Sequence, residues 1–158
     1  MNIRQYAETD RGAVLKLHQE LQRFEWPLRA LRSRSPRLSE EYFEREYDEL
    51  LADEDCDCMF LVAEAEGDLV GYVFCLVDDE LLDDPREQVQ VLDIMVTESA
   101  RRDGIGRGLM EAVNAFADER GVARITLDVL CTNVIAVSFY KSLGYEGAVL
   151  SMEQVRKA

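Results

Sequence analysis

The second half of the chain contains a strand pattern, a helix pattern and a second strand pattern in direct succession. Val89–Val96 is an apolar, β-rich run, Gly104–Arg120 has apolar residues at helical spacing, and Arg124–Leu130 alternates apolar and polar residues. Gly121 stands where a helix C-cap glycine belongs. A strand, a helix and a strand in this order form a right-handed crossover between two parallel strands. The chain is therefore predicted to be of the α/β class.

The first half predicts a strand, two helices and a hairpin. Asn2–Tyr6 is a candidate first strand, and Asp10–Phe24 presents one apolar stripe of a helix. A second helix is expected to begin with Ser39 as its N-cap. Met59–Ala65 and Leu69–Val77 are joined by a short turn containing glycine and predict a β-hairpin. Together with the crossover, these elements predict one domain, residues 1–158, with a mixed, mainly antiparallel sheet flanked by helices.

Three further segments connect or end these elements. Trp26 to Arg37 is rich in arginine and contains two prolines, which predicts an irregular basic loop, and Asp78 to Glu87 predicts an acidic loop. Ala148 to Val155 is a candidate last strand, and a homodimer that pairs through it is an open option.

The charge of the chain disfavours anionic partners. Its 32 acidic and 18 basic residues give a formal net charge of −14, which argues against binding to nucleic acid or to an anionic membrane. No run approaches the roughly 18 apolar residues of a membrane span, and the start, MNIRQYAETD, lacks the layout of a signal peptide. We therefore expect a cytoplasmic protein without a nucleic-acid or membrane partner. The excess of acid accommodates a cationic partner, although solubility alone also explains it.

The cysteines and the single histidine do not form a metal-binding pattern. Cys56 and Cys58 make a C-x-C pair, and Cys75 and Cys131 lie far from it in sequence. His18 lies beside the apolar stripe of the first helix and is expected to be a packing residue. We expect free thiols and no bound metal.

A glycine-rich turn joins the first crossover strand to its helix. The stretch ARRDGIGRGLM, residues 100–110, has glycines at alternate positions. Each glycine inside a helix costs about 1 kcal/mol relative to alanine, and a ligand that approaches the backbone closely would offset this cost. The first N–H groups of a helix bind phosphate well, and the arginines of the stretch add positive charge. The turn is a candidate phosphate or pyrophosphate site, and tight packing of the helix on the sheet is the alternative.

The familiar nucleotide motifs do not match this turn. A P-loop would need G-x-x-x-x-G-K-[ST], which is absent from the sequence. The dinucleotide fingerprint G-x-G-x-x-G would need glycine where Leu109 stands. A dinucleotide oxidoreductase is therefore a distant alternative.

Two motifs together resemble the GCN5-related N-acetyltransferase superfamily. The first is Arg101-x-x-Gly104-x-Gly106 after the strand VLDIMV, and the second is N-x-x-A-x-x-F-Y-K-S-L-G-Y, residues 133–145. The resemblance is close over Val89 to Tyr145 and elsewhere covers only the order of elements. Two departures stand out: the family often has proline where Glu98 stands and glycine where Arg102 stands.

The resemblance implies an acetyl-CoA site at a splay between the two parallel strands. In that family the first of the two parallel strands pairs with the pantetheine arm as an added strand would. The amides of the glycine-rich turn hold the pyrophosphate, and the helix after the second parallel strand lines the other side of the cofactor. Carried over to this sequence, the cofactor-binding residues would be Ile94, Met95, Val96, Arg101, Arg102, Asp103, Gly104, Ile105, Gly106, Arg107, Asn133, Ala136, Tyr140 and Lys141.

Tyr140 occupies the position of the family's usual general acid, which protonates the departing CoA thiolate. The chemistry is sound independently, because a positioned phenol with a pKa of about 10 can supply a proton to a thiolate whose thiol has a pKa of about 8.5. A buried core aromatic is the alternative role for Tyr140.

The acceptor amine needs a base. A primary amine with a pKa of about 10.4 is protonated at neutral pH and must lose a proton before it attacks the thioester. Asp93 is the candidate base, in a string similar to that of polyamine-type members except that Leu92 stands where those have glutamate. An orienting role for Asp93 is equally open, and Glu87 and Asp128 are other carboxylates that could relay the proton. Direct transfer is the family's normal route, so the resemblance disfavours an acetylated Cys131.

Three function hypotheses follow. The first is an acetyl-CoA-dependent N-acetyltransferase for a small cationic, polyamine-like amine. The second is an acetyltransferase for a protein amino group. The third is a non-catalytic acyl-CoA-binding module, against which Tyr140 argues.

Overall fold

The computed structural model describes residues 1–29, 40–78, 88–152 and 154. Within these residues five strands form one sheet: β1 (Asn2–Gln5), β2 (Cys58–Ala65), β3 (Asp68–Asp78), β4 (Gln88–Val96) and β5 (Ile125–Leu127). The longer helices are α1 (Arg11–Glu25), α4 (Ile105–Arg120) and α5 (Val134–Ser142). Two short helices, α2 (Glu40–Phe43) and α3 (Glu49–Ala52), flank a π-helical segment, Glu44–Asp48.

The sheet confirms the mixed topology. The strands lie in the order β1-β2-β3-β4-β5, with antiparallel pairs from β1 to β4 and one parallel pair between β4 and β5. The parallel pair is the predicted crossover, and α4 connects its two strands. The helix begins and ends where expected, since Gly121 caps it with a left-handed φ of 68°.

Apolar layers cover both faces of the sheet. On one face α4 packs through Ile105, Leu109 and Val113 onto buried strand residues. On the other face α1, α2 and the π-helical segment pack through Val14, Leu17, Leu21, Phe43 and Tyr47. Each layer buries side chains that alternate along the strands, which fixes the register of the sheet.

A β-bulge interrupts β4 at Leu92. Phe74 pairs with Asp93 and the next residue of β3, Cys75, pairs with Val91, so Leu92 has no partner in β3. The extra residue puts Asp93 on the α1 face, although regular alternation would place it beside Val91 on the α4 face. The bulge therefore decides which side of the sheet receives the carboxylate.

The strand predicted at Arg124–Leu130 is shorter in the structure. β5 contains only Ile125–Leu127, which pairs with Val89, Gln90 and Val91. The pairing stops where β4 bulges, and Asp128 and Val129 are exposed. The two parallel strands therefore diverge after Val91, as the predicted splay requires.

The expected last strand, Ala148–Val155, is wrong for the residues that the structure describes there, 148–152 and 154. They have no regular structure, and Val149 and Met152 are 91% and 86% exposed. A strand needs a hydrogen-bonded neighbour, and none of the described strands pairs with this segment. Ser39, most of the basic loop and most of the acidic loop, including Glu87, lie outside the described residues.

Candidate active site

A small cavity opens where β4 and β5 separate. It has a volume of ≈ 40 Å³ and mostly polar walls. Its lining comes from α1, both parallel strands and α5: Leu21, Glu25, Val91, Leu92, Asp93, Ile94, Leu127, Asp128 and Tyr140. The splay thus brings three carboxylates and one phenol to the same opening.

Tyr140 enters the cavity from α5. Burial raises the pKa of its hydroxyl above the usual value, and the negative charges of Glu25 and Asp93 raise it further. The phenol therefore stays protonated at neutral pH and can donate a proton into the cavity. The structure thus brings Tyr140 together with Asp93, as the sequence analysis expected.

Buried tyrosine and histidine side chains contact the Asp93 carboxylate on the α1 face of the sheet. The Tyr47 hydroxyl donates a hydrogen bond to Asp93 Oδ2, and His18 Nδ1 lies 3.3 Å from the same oxygen. His18 Nδ1 is also 3.1 Å from the Tyr47 hydroxyl and 3.4 Å from that of Tyr72. Burial raises the pKa of both tyrosines well above the usual value, so both remain hydroxyl donors. This network fixes the position of one carboxylate oxygen.

His18 and Tyr47 do more than fill the core. His18 is 1% exposed, and its ring lies edge-on to Phe43 and Tyr47. The expected packing role is confirmed, yet the same side chain also contacts the Asp93 carboxylate. The role of the Tyr47 hydroxyl cannot be read from local sequence, because its bond to Asp93 depends on the tertiary fold.

Glu25 is the site residue that sequence reasoning missed. It is the last residue of α1, its side chain is 22% exposed, and it lines the cavity. Burial raises its pKa, Asp93 raises it further, and Arg29 and His18 act in the opposite direction. One sequence signal was present, since His18, Leu21 and Glu25 share one helix face.

The start of α4 presents backbone amides that precede its hydrogen-bond ladder. Its first helical hydrogen bond runs from Gly108 N to Gly104 O at 2.9 Å, so the N–H groups of residues 105–107 precede the ladder. Gly104 has a φ of 82°, which favours glycine, whereas Arg102 adopts a φ of 72° with a side chain. Arg102, Asp103 and Arg107 are exposed around these amides.

Two glycines of the turn have packing reasons. A Cβ on Gly106 would lie 3.2 Å from the Phe139 ring, and one on Gly108 would lie 2.9 Å from Ile3 Cδ1. Close approach to side chains therefore accounts for both, which is the packing alternative of the sequence analysis. Gly106 still contributes an amide to the start of the helix.

Of the remaining predicted residues, Ile94 lines the cavity and the others lie on the elements beside it. Arg101 Nε donates to Val96 O at 3.1 Å, and its guanidinium lies 5.0 Å from the Phe24 ring centroid. Asn133 is buried and caps α5, accepting from Ala136 N at 3.1 Å. Ile94 and Val96 are half-buried, Met95 is buried, and Lys141 is exposed.

Comparison with known proteins agrees with this geometry. The model of the Acetyltransferase (GNAT) family matches residues 18–145. The chain belongs to this family.

The relatives and neighbours of this GNAT chain are acetyltransferases or share their fold. N-acetyltransferase family 8 member 3 of Rattus norvegicus is 34% identical over 88 residues, 55% of this chain and 38% of the relative. A tetramutant of the BH1408 protein from Bacillus halodurans is 28% identical with a TM-score of 0.81 and covers 99% of this chain and 100% of its own.

A third comparison concerns the fold alone. Aminoglycoside 6'-N-acetyltransferase AAC(6')-IG from Acinetobacter haemolyticus is 19% identical, with a TM-score of 0.75 and coverage of 100% of this chain and 99% of its own. The GNAT chain spans about two fifths of the length of the curated relatives it matches.

Enzymes of the GNAT family use acetyl-CoA as the acetyl donor, and the residues present fit such a donor. Beyond Val91 the β4 edge is no longer paired with β5, which leaves room for an extended arm. The amides of residues 105–107 and the exposed Arg102 and Arg107 suit a pyrophosphate. No helix among the described residues is long and apolar enough to cross a membrane.

Proposed function

We propose that the chain transfers an acetyl group from acetyl-CoA directly to the primary amine of a small cationic molecule. The observation that carries the proposal is the cavity at the β4–β5 splay, where the Tyr140 phenol meets the carboxylates of Glu25, Asp93 and Asp128. A phenol suits a leaving thiolate, and carboxylates suit an ammonium group. The overall charge of −14 favours the approach of a cation.

Acetyl-CoA would bind along the diverging edge of β4. The backbone of Ile94, Met95 and Val96 would pair with the pantetheine arm, and the first amides of α4 would hold the pyrophosphate. Arg102 and Arg107 would add charge there. Asn133, which caps α5, and Ala136 and Lys141 on α5 would line the other side of the arm.

Tyr140 would act as the general acid. Its hydroxyl is protonated at neutral pH, because burial and the neighbouring carboxylates oppose its ionisation. As the carbon–sulfur bond breaks, the hydroxyl gives its proton to the thiolate. This keeps the leaving sulfur neutral in a partly buried site.

Asp93 would hold the acceptor amine beside the acetyl carbon. Its Oδ2 is engaged by Tyr47 and His18, which supports an orienting and charge-binding role. Asp128 lies at the exposed rim of the same cavity and would contribute charge to an extended cationic substrate.

The first experiment measures thermal unfolding with and without acetyl-CoA, with NADH as the control. A ligand at about 100 times its Kd adds about 2.7 kcal/mol to stability, so acetyl-CoA should raise the Tm and NADH should not. Acetyl transfer is then assayed with polyamines, aminoglycosides, and peptides with a free N-terminus or a lysine. Faster turnover of the peptides would favour a protein amino group, and no Tm shift would sink the acetyl-CoA proposal.

Tyr140→Phe tests the acid. Loss of the hydroxyl should lower kcat by about 10²–10⁴-fold, the usual contribution of a general acid, with the acetyl-CoA Tm shift retained. Tyr145→Phe is the matched control, since that ring lies 5.9 Å from the Tyr140 ring and is not part of the cavity lining. If Tyr140→Phe turned over as fast as the wild type, Tyr140 would not be the acid.

A further inference from the structure

We propose that Glu25 is the catalytic base, which takes the proton from the acceptor ammonium group, and that Asp93 serves as its fixed partner. This inference rests on the proposed acetyl transfer. It assigns the proton-accepting step to a helix residue that neither of the two family motifs contains.

The end of α1 is tied to the loops on both sides of the cavity. Ahead of Glu25, the Phe24 ring lies under the guanidinium of Arg101, which itself bonds to the last carbonyl of β4. Beyond Glu25, the Leu28 carbonyl accepts a hydrogen bond from the Thr132 hydroxyl, in the loop between β5 and α5. These two contacts flank Glu25 and fix the end of α1, and the Glu25 side chain lines the cavity at the splay.

The two carboxylates differ in how they are occupied. Asp93 Oδ2 accepts from Tyr47 and lies near His18 Nδ1, so part of its capacity to accept protons is already used by buried donors. Glu25 has its ion-pair partner Arg29 at 3.5 Å, and the Arg29 side chain is 41% exposed. An ion pair so accessible to water holds a carboxylate weakly. Of these two carboxylates, Glu25 is therefore the one with more freedom to bind a proton.

The surroundings of Glu25 favour its protonated form. Asp93 faces it from β4, Asp128 and Tyr140 line the same cavity from the β5 end and α5, and Arg29 and His18 of its own helical stretch act in the opposite direction. Its place in the last turn of α1 adds the negative end of the helix dipole. Burial is the largest cause that raises the pKa of Glu25. A base with a raised pKa accepts a proton from an ammonium group more readily than an ordinary glutamate does.

Glu25 and Tyr140 together account for every proton that moves during the proposed acetyl transfer. The ammonium group gives one proton to the Glu25 carboxylate, and the freed nitrogen lone pair forms the bond to the acetyl carbon. The carbon–sulfur bond breaks, and the sulfur takes the proton of the Tyr140 hydroxyl. The nitrogen then loses its second proton, which restores Tyr140, and Glu25 releases its own proton to solvent.

The decisive variant is Glu25→Gln, with Glu20→Gln as the matched control on an exposed position of the same helix. We expect kcat/KM at neutral pH to fall by about 10²–10⁴-fold. The remaining rate should climb steadily as pH rises toward the pKa of the amine, because only the amine that is already neutral reacts. Glu20→Gln should keep the wild-type rate and the wild-type pH profile. A wild-type pH profile for Glu25→Gln would overturn the assignment.

A second substrate separates proton transfer from a structural role. An aryl amine is already neutral at neutral pH and needs no base before attack, so Glu25→Gln should acetylate it at close to the wild-type rate. Equal losses for the aryl and the alkyl amine would mean that Glu25 only shapes the site, which contradicts the proposal. Asp93→Asn should raise the KM for the alkyl amine while the pH profile keeps its shape.

The Tm of Glu25→Gln distinguishes the proposed role from a purely structural one, which would predict a lower Tm. Since the folded site disfavours the Glu25 carboxylate, Glu25→Gln should keep or raise the Tm at neutral pH, and the acetyl-CoA shift should persist. A lowered Tm would count against the assignment. Wild type without turnover of any amine would overturn the proposed function and this inference together, whereas wild-type turnover by Glu25→Gln would overturn this inference alone.

Discussion

Single residues around the site adopt conformations or positions that are unfavourable by themselves, and the rest of the fold stabilises them. Arg102 holds a left-handed φ in the turn before α4. Glu25 and Asp93 bring two negative charges to one small cavity. Such local costs typically persist where the strained group has a function, or where a compensating contact exists nearby.

Arg102→Gly should stabilise the protein. A left-handed backbone costs a residue with a β-carbon roughly 1–2 kcal/mol, and glycine avoids this cost. The greater conformational entropy of glycine in the unfolded chain cancels about half of the stabilisation. We expect the Tm to rise by about 2–4 °C, as about 1 kcal/mol does for a domain of this size. Arg102→Ala loses the same charge but keeps a β-carbon, so it should not share the gain. Equal Tm values for the two variants would contradict the explanation.

At the scale of elements, two irregularities build the site. The bulge of β4 turns Asp93 toward α1, and the π-helical segment presents the Tyr47 hydroxyl to it. Both irregularities lie inside elements whose regular parts pack like any sheet and helix. Bulges and π turns are often found at functional sites for this reason, since they re-aim one side chain without changing the fold.

Tyr47→Phe tests the link between these two elements. It removes a buried hydroxyl that bonds to a carboxylate, which should lower the free energy of unfolding by about 1–3 kcal/mol, and it should raise the KM for the amine. Tyr6→Phe is the matched control, because the Tyr6 hydroxyl is buried without a hydrogen-bond partner among the described residues. Urea unfolding of the two variants measures the difference. A Tyr6→Phe variant that loses as much stability as Tyr47→Phe would refute the role of the Asp93 bond.

The regular elements were predictable and the irregular ones were not. The helix over Ile105–Arg120 and the strand over Gln88–Val96 follow from local periodicity, and the Tyr140 position followed from the motif resemblance. The bulge at Leu92 depends on the register of β4 against β3, which no local pattern contains. Glu25 lines one cavity with Asp93 only once α1 is packed on the sheet, so the spacing of apolar residues could not predict its place in the site.

At the scale of the whole molecule, buried ionisable groups set the pH range in which the fold is stable. Tyr47 and Tyr72 are fully enclosed and their pKa values are raised by burial, and burial raises the pKa of the Cys75 thiol to about 12. On the acid side, the Arg4 guanidinium lowers the pKa of the largely buried Asp10. The folded state therefore requires that the buried phenols and thiol stay neutral and that the Asp10 carboxylate stays ionised beside Arg4.

Stability should therefore fall at both ends of the pH scale. A raised pKa contributes stability that is complete below the unfolded value, about 8.5 for a thiol and 10 for a phenol, and is lost as the pH rises further. A lowered carboxyl pKa contributes stability that is present above about 3.9 and is lost as the pH falls. Urea unfolding free energies between about pH 3 and 11 should show a plateau near neutrality. An unchanged free energy at about pH 11 would contradict the burial of these groups.

The extra residue in β4, Leu92, also determines how far β4 and β5 can pair. Without it, Val91 and Asp93 would be consecutive and β4 could run straight, with Asp93 still on the α1 face. The sheet would then gain ladder hydrogen bonds to β5 and lose the opening between the two strands. Deletion of Leu92 is therefore expected to close the opening between β4 and β5, so the proposed acetyl-CoA site depends on the length of β4 as well as on its side chains.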